Sequence, residues 1–348
     1  MINLPGQWRG FASDNYAGIH PDVLSAISLA NVDHQVAYGA DNLTAHLGDV
    51  MREHFGSQAQ VFPVFNGTGA NVVSLQAMCR SWESVICSSD AHIHADEGGA
   101  PEKVAGLKLH LVDTADGRLT PEAVSTQAWG FGDEHRAQPK VISLTQVTEL
   151  GTVYRPEDVA ALVEQAHALG LYVHMDGARI ANAAAHLGMP MRAFTTDVGV
   201  DAVSLGGTKN GAMGAEAVLI LNPELAPAIK FVRKSAMQLA SKMRFISAQL
   251  LALFEEDLWL KNAQHSNQMA MRLYEGVANI DGLTIDRPQA NSLFPILPIE
   301  ITEKLQKDFA FYVWDHMTGK VRWMCSWDTT TEDVDTFVEA VRSNFASR

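Results

Sequence analysis

Lys209 stands in the stretch SLGGTKNGAMG (204–214), straight after the apolar run VDAV (200–203). A lysine in a glycine-rich bend at the end of a buried strand has two readings. It is an ordinary solvated turn residue, or it is an amine held near a bound carbonyl, where easier loss of its proton makes it a nucleophile. On the second reading Gly206, Gly207 and Gly211 let backbone and ligand come close. Asp176 ends another apolar run, in HMDGARIANA (174–183). A carboxylate there costs on the order of several kcal/mol if unpaired. It therefore asks for a cationic partner, either the nearby Arg179 or the ring nitrogen of a cofactor. In FNGTGAN (65–71), small residues and a hydroxyl lead into an apolar helix. Free amides at such a helix start make a phosphate seat; the plainer alternative is a helix cap with Thr68 as the capping residue. The stretch lacks the lysine of a P-loop, which argues against a nucleoside triphosphate. Finally, SSDAHIHADEGGAPE (88–102) gathers His92, His94, Asp96 and Glu97. Its spacing matches no zinc helix motif and no cysteine pair supports it, so no metal is expected. It is either a polar loop or a place where His92 stacks on a ring or moves a proton.

These residues need elements to position them. Strands are expected at 85–88, 108–112, 140–145, 171–176, 201–205 and 216–221, several of them β-branched and apolar on both faces, as in a sheet covered by helices on both sides. The clearest helix is 156–169, PEDVAALVEQAHAL. Pro156 suits its first turn, Glu157 and Asp158 suit its dipole, and Val159, Leu162, Val163, Ala166 and Leu169 form one apolar face ahead of Gly170. Alternating strands and helices imply a mostly parallel sheet, and ligands meet such sheets at the carboxyl ends of the strands. After about residue 222 the pattern changes to a helical stretch over 223–279, strand-like pieces near 283–286, 293–299 and 321–325, and a last helix opened by a capping box at Thr329/Thr330 and Glu332/Asp333. This predicts a large domain over 1–250, with an N-terminal arm, and a small α+β domain over 251–348.

The bulk properties narrow the partners. The 348 residues carry a net charge of -14 with the acidic groups spread along the chain, which argues against nucleic acid and against an anionic membrane surface. Cys79, Cys87 and Cys325 lie in apolar surroundings and read as reduced thiols of a cytoplasmic protein. The N-terminal sequence has no apolar signal core, and no apolar run reaches the length of a membrane span.

Taken together, the four stretches ask for one ligand with a phosphate, an aromatic ring with a basic nitrogen, and an aldehyde. Pyridoxal 5'-phosphate has all three, and a lysine with an aspartate on the pyridine nitrogen is the arrangement it needs. At this point the chain resembles the low-specificity L-threonine aldolases of the fold-type-I pyridoxal-phosphate enzymes, near the bacterial L-phenylserine aldolase branch. The resemblance rests on FASDNYAGIHP, AYGAD, FNGTGAN, AHIHADEGGAPE, TQVTELGTVYRP, HMDGARIANA, GGTKNG, LASKMRF and VRWMCSWD, from residue 11 to about 328.

The resemblance implies a mostly parallel seven-stranded sheet and a small C-terminal domain. It also implies retro-aldol cleavage of L-threonine, L-allo-threonine and related β-hydroxy amino acids such as phenylserine to glycine and an aldehyde, and the reverse addition. Lys209 then carries the Schiff base, Gly67, Thr68 and Gly69 hold the phosphate, His92 stacks on the ring and Asp176 binds its nitrogen. Ser13, Arg179 and Arg322 grip the substrate carboxylate, with Arg179 also beside the cofactor. Tyr38 reaches a neighbouring subunit's site, and Lys242 and Arg244 bind phosphate there, in a dimer or tetramer with shared active sites. One departure is marked: where many members have a histidine in N-T-H-N-G, this chain reads VTELG, with Glu149 in that place. The base for the substrate hydroxyl is therefore Glu149, His92 or an ordered water. The competing readings are another fold-type-I lyase or aminotransferase, and a cofactor-binding regulator without catalysis.

Overall fold

The computed structural model describes residues 10–346. Seven strands form the main sheet: β1 (Gln60–Val64), β2 (Glu83–Ser88), β3 (Lys108–Val112), β4 (Gln138–Thr145), β5 (Tyr172–Gly177), β6 (Ala202–Gly206) and β7 (Glu216–Ile220), in the order β1-β7-β6-β5-β4-β2-β3. β7 runs antiparallel to both its neighbours, and the pairs from β6 to β3 are parallel. Successive side chains on a strand face opposite sides. Val85 and Cys87 accordingly pack into one apolar layer and Ile86 into the other, and Val141 and Ile142, or Val218 and Leu219, divide the same way. Helices cover both layers, which is why these strands read as unbroken apolar runs.

β1 is absent from the expected strands. Its sequence is QVFPV, and a proline removes a ladder donor. It survives here because β1 is the sheet's outer strand, paired only with β7.

The helical stretch expected over 223–279 is broken into Ala226–Ser235, Arg244–Phe254 and Leu258–Val277. The breaks fall where Met237 and Asp257 take positive φ, at 61° and 55°. L-residues rarely adopt that conformation, and no helix continues through it.

The second sheet is small and antiparallel, with β8 (Ser292–Leu293), β10 (Lys320–Met324) and β9 (Tyr312–Asp315) in the order β8-β10-β9. The strand expected near 283–286 is a single bridge, Thr284 to Ile296. Trp259 and Ala263 pack with the main sheet's layers and Met269 onward with the small sheet, so the two cores meet inside Leu258–Val277 rather than near residue 250. The N-terminal segment joins the small unit. Phe11 stacks on Phe337 at 4.5 Å, and the Met324 amide donates to the Phe11 carbonyl at 2.8 Å. That attachment carries Ser13 and Asp14 along β10 to the carboxyl edge of the main sheet.

Candidate active site

The parallel strands end level with one another. Thr145, Asp176 and Ser204 lie in register across β4, β5 and β6, so the loops that follow converge on one edge. A cavity of about 560 Å³ opens there, and His92, Glu149, Arg179, Lys209, Ser13 and Arg322 all line it. Sequence positions from 13 to 322 thus meet in one place.

Lys209 sits in the turn Thr208–Asn210 after β6. The carboxylate of Glu216 accepts from the amides of Gly207 and Thr208, both at 3.2 Å, and ties the turn to β7. The adjacent glycines serve the backbone rather than a ligand. A Cβ at Gly206 would lie 2.5 Å from the Ala178 carbonyl, a Cβ at Gly207 the same distance from the Ala215 carbonyl, and Gly211 has φ of +107°. Burial, aided by the Arg179 guanidinium, lowers the Lys209 pKa against the opposing pull of Asp14, Asp176 and Glu216. The shift favours the neutral, nucleophilic amine.

Asp176 does not pair with Arg179. Its Oδ1 accepts from the Ala178 amide at 3.0 Å and its Oδ2 from Asn71 Nδ2 at 2.8 Å. Asn71 Nδ2 also donates to Glu97 Oε1 at 2.8 Å, and His92 Nδ1 lies 3.1 Å from the same oxygen. A polar chain therefore runs Asp176–Asn71–Glu97–His92. The hydrogen bond to Glu97 raises the His92 pKa against the lowering effect of burial.

Arg179 instead forms a two-pronged ion pair with the buried Asp14, Nε to Oδ2 at 2.7 Å and Nη2 to Oδ1 at 2.9 Å, and Asn291 supports Asp14 at 3.1 Å. The fork expected to grip a substrate carboxylate is thus filled from within the chain. Nη1 is left without a protein partner among the described residues. Arg322 is differently placed: its Nη2 donates to the Ala12 carbonyl at 2.9 Å, its Nε is buried without an acceptor, and the rings of Tyr312 and Trp314 lie 5.2 and 5.1 Å from its guanidinium carbon.

Glu149 meets the cavity from the loop after β4. Its Oε1 accepts the His92 amide at 2.7 Å, and its Oε2 is buried without a partner. Burial and the neighbouring Asp176 push its pKa up to about 7.

The helix Gly67–Met78 begins one turn from this network, since Asn71 belongs to it. Its cap is Asn66, not Thr68: Asn66 Oδ1 accepts the Gly69 amide at 2.7 Å. That hydrogen bond directs the Gly69 amide away from the role expected of it. The amides of Gly67 and Thr68 have no protein acceptor among the described residues, as suits an anion seat.

Tyr38, Lys242 and Arg244 lie outside this cavity. Tyr38 is 52% exposed at φ of 61°, its amide bonded to the Ser241 carbonyl at 2.9 Å. Lys242 is exposed, and Arg244 Nη1 donates to the carbonyls of Val32 and Asp33 at 3.1 and 3.0 Å. Among the described residues no group of three or more His, Cys, Asp or Glu is placed to hold a metal ion.

The sequence reading missed Asp14, Asn71, Tyr312 and Trp314. Asp14 adjoins Ser13 and Asn71 sits in the quoted FNGTGAN, so both lay within reach of the motifs. The two aromatics carried no such signal.

Glu149 Oε2 and Arg322 Nε, on two residues that line the cavity, are buried without partners, as suits a place made for a ligand. The residues fit pyridoxal phosphate: an amine, a fixed carboxylate, an imidazole and a free helix start.

The comparisons define the class first. Oryza sativa TDC, solved with PLP and tryptamine, superposes on 97% of this chain and 84% of its own with a TM-score of 0.77 at 13% identity, a likeness of fold. The Leishmania major threonine aldolase structure is closer, with a TM-score of 0.90 and 28% identity over 96% of this chain and 99% of that one. The beta-eliminating lyase family matches residues 10–298. The low specificity L-threonine aldolase of Pseudomonas aeruginosa is 43% identical over 95% of this chain and 96% of its own, and that of Pseudomonas sp. 42% over 98% and 99%. The chain belongs to the beta-eliminating lyase family and, within it, to the low-specificity L-threonine aldolases.

Proposed function

We propose that this enzyme cleaves L-threonine, L-allo-threonine and related L-β-hydroxy-α-amino acids to glycine and an aldehyde, and catalyses the reverse addition. The observation that carries the reading is a cavity lined by both Lys209, a buried lysine of lowered pKa, and Glu149, at the strand edge where Asn71 fixes the carboxylate of Asp176.

Pyridoxal 5'-phosphate, when bound, supplies the electron sink that carbon–carbon cleavage of an amino acid needs. Lys209 would hold its aldehyde carbon, Asp176 its ring nitrogen, His92 its ring face, and Gly67 and Thr68 its phosphate. The chain's own residues do the rest. Ser13 and Arg322 hold the substrate carboxylate, with the Nη1 edge of Arg179 beside them, and so fix which bond at Cα faces the cleaving geometry. Asp14 holds Arg179 rigid and balances its charge. The Glu149 carboxyl takes the proton of the β-hydroxyl; a carboxyl that titrates near 7 can be both unprotonated and basic at neutral pH. His92, whose amide orients Glu149, is braced in turn by Glu97.

Finer points belong to the same proposal. The Tyr312 and Trp314 walls of the cavity suit aromatic β-substituents, which supports phenylserine as a substrate. The exposed Leu29, Val32 and Val36 support burial against a second copy, in a dimer or tetramer whose copies lend Tyr38, Lys242 and Arg244 to each other's sites. The free, buried Cys79, Cys87 and Cys325 support a reducing, cytoplasmic setting.

A panel of L-threonine, L-allo-threonine and L-phenylserine, scored for glycine and the matching aldehyde, tests the reading. Equimolar glycine and aldehyde is the expected result. A 2-oxo acid with transferred nitrogen would instead establish the aminotransferase alternative.

A further inference from the structure

Gln238 lies in the break between the helices Ala226–Ser235 and Arg244–Phe254, directly after the left-handed Met237. Its amide donates to the Arg233 carbonyl at 2.9 Å, so the backbone there is fixed. The side chain lies across the first turn of the helix Gly67–Met78. A Cβ at Gly69 would stand 2.3 Å from Gln238 Cδ, 2.5 Å from Nε2 and 2.6 Å from Oε1. A side chain at Gly69 would have to displace this carboxamide.

The orientation of the carboxamide is set by its partner. The Phe65 amide is 3.0 Å from Oε1. An N–H can only donate, so the oxygen must face Phe65 and the NH2 group must face away. Nε2 has no protein acceptor among the described residues. It thus joins the amides of Gly67 and Thr68 as a third donor of the same kind at the same helix start.

We propose that Gln238 completes the phosphate seat of the cofactor, with its Nε2 donating to a phosphate oxygen. This rests on the reading of the cavity as a pyridoxal-phosphate site. It gives Gly69 a role different from that of a phosphate donor: its missing side chain admits Gln238. The break in the helical stretch, with its positive φ at Met237, is what aims the carboxamide.

The test is a titration of the apoprotein with pyridoxal phosphate and, separately, with pyridoxal, followed by the visible absorbance of the bound cofactor. Wild type should bind the phosphorylated form far more tightly. Gln238→Ala should weaken pyridoxal phosphate by about ten- to a hundredfold, the range of one hydrogen bond to a charged group, and leave pyridoxal unchanged. Gln238→Glu keeps the shape and the acceptor for Phe65 but exchanges the donor for a negative charge, so it should lose more of the phosphate preference while folding normally. An unchanged affinity for pyridoxal phosphate in both variants overturns the assignment, as does an equal loss for the two ligands. Wild-type protein that binds neither compound, or both equally, would sink the underlying cofactor site instead.

Discussion

Glu149 carries the sharpest claim at the scale of single residues. Its carboxyl titrates at about 7 because it is buried beside Asp176. Above that pH it can accept the β-hydroxyl proton; below it the carboxyl is already protonated. The rate of threonine cleavage should therefore fall as pH drops through about 7. Glu149→Gln should lower kcat by roughly 10²- to 10⁴-fold, the usual worth of a general base, with little change in KM and without that acidic limb. A variant that keeps the limb assigns it to another group. The same shift has a stability consequence. The folded pKa lies above the ordinary value of 4.5, so the folded state binds the extra proton between the two values and loses stability as pH rises through 7. Apoprotein carrying Glu149→Gln should accordingly gain melting temperature over wild type at pH 8 and not at pH 4. Lys209, Asp176 and His92 were legible in the sequence itself, because each ends or follows an apolar run; Glu149 came only through the resemblance, in the place of a histidine. The pairings of Asp14, Asn71 and Gln238 were not legible, because their partners Arg179, Asp176 and Phe65 stand 165, 105 and 173 positions away. Nothing local marks such a polar pair.

The elements were read well where burial dictates sequence. Strands covered on both faces read as apolar runs, and β2, β4, β5, β6 and the antiparallel β7 declared themselves that way, while the outer strand β3, KLHLV, is only partly buried. In the small sheet β10 did so, near the expected 321–325, but β8 has only two residues and β9 carries Tyr312 and Trp314 toward the cavity rather than into a core. The 223–279 stretch misled because its helical composition is real while its breaks depend on single backbone angles. Gly207 offers a test at this scale. A methyl group there meets the Ala215 carbonyl, which belongs to backbone and cannot swing aside. Gly207→Ala should destabilise the protein by about 1–3 kcal/mol in urea unfolding and displace Lys209. A change within about 0.5 kcal/mol, typical of an unconstrained surface position, would show that the turn has slack.

For the molecule as a whole, the main sheet provides a level edge and the small unit supplies the lid side of the cavity through Arg322, Tyr312 and the N-terminal segment. The large apolar side chains left exposed include Leu29 at 72% and Val36 at 68%, and exposed apolar side chains of that kind suit cover by a partner surface. Sedimentation should find wild type well above the 37.9 kDa of one chain. The double substitution Leu29→Glu and Val36→Glu should return it toward that mass. Wild type sedimenting as a single chain would contradict the assembly.

The most direct measurement is borohydride reduction of the protein loaded with pyridoxal phosphate, followed by peptide mapping. The expected result is one modified site, Lys209, and no fixed cofactor in Lys209→Ala. A label on any other lysine, or none in wild type, would contradict the placement of the cofactor at the end of β6.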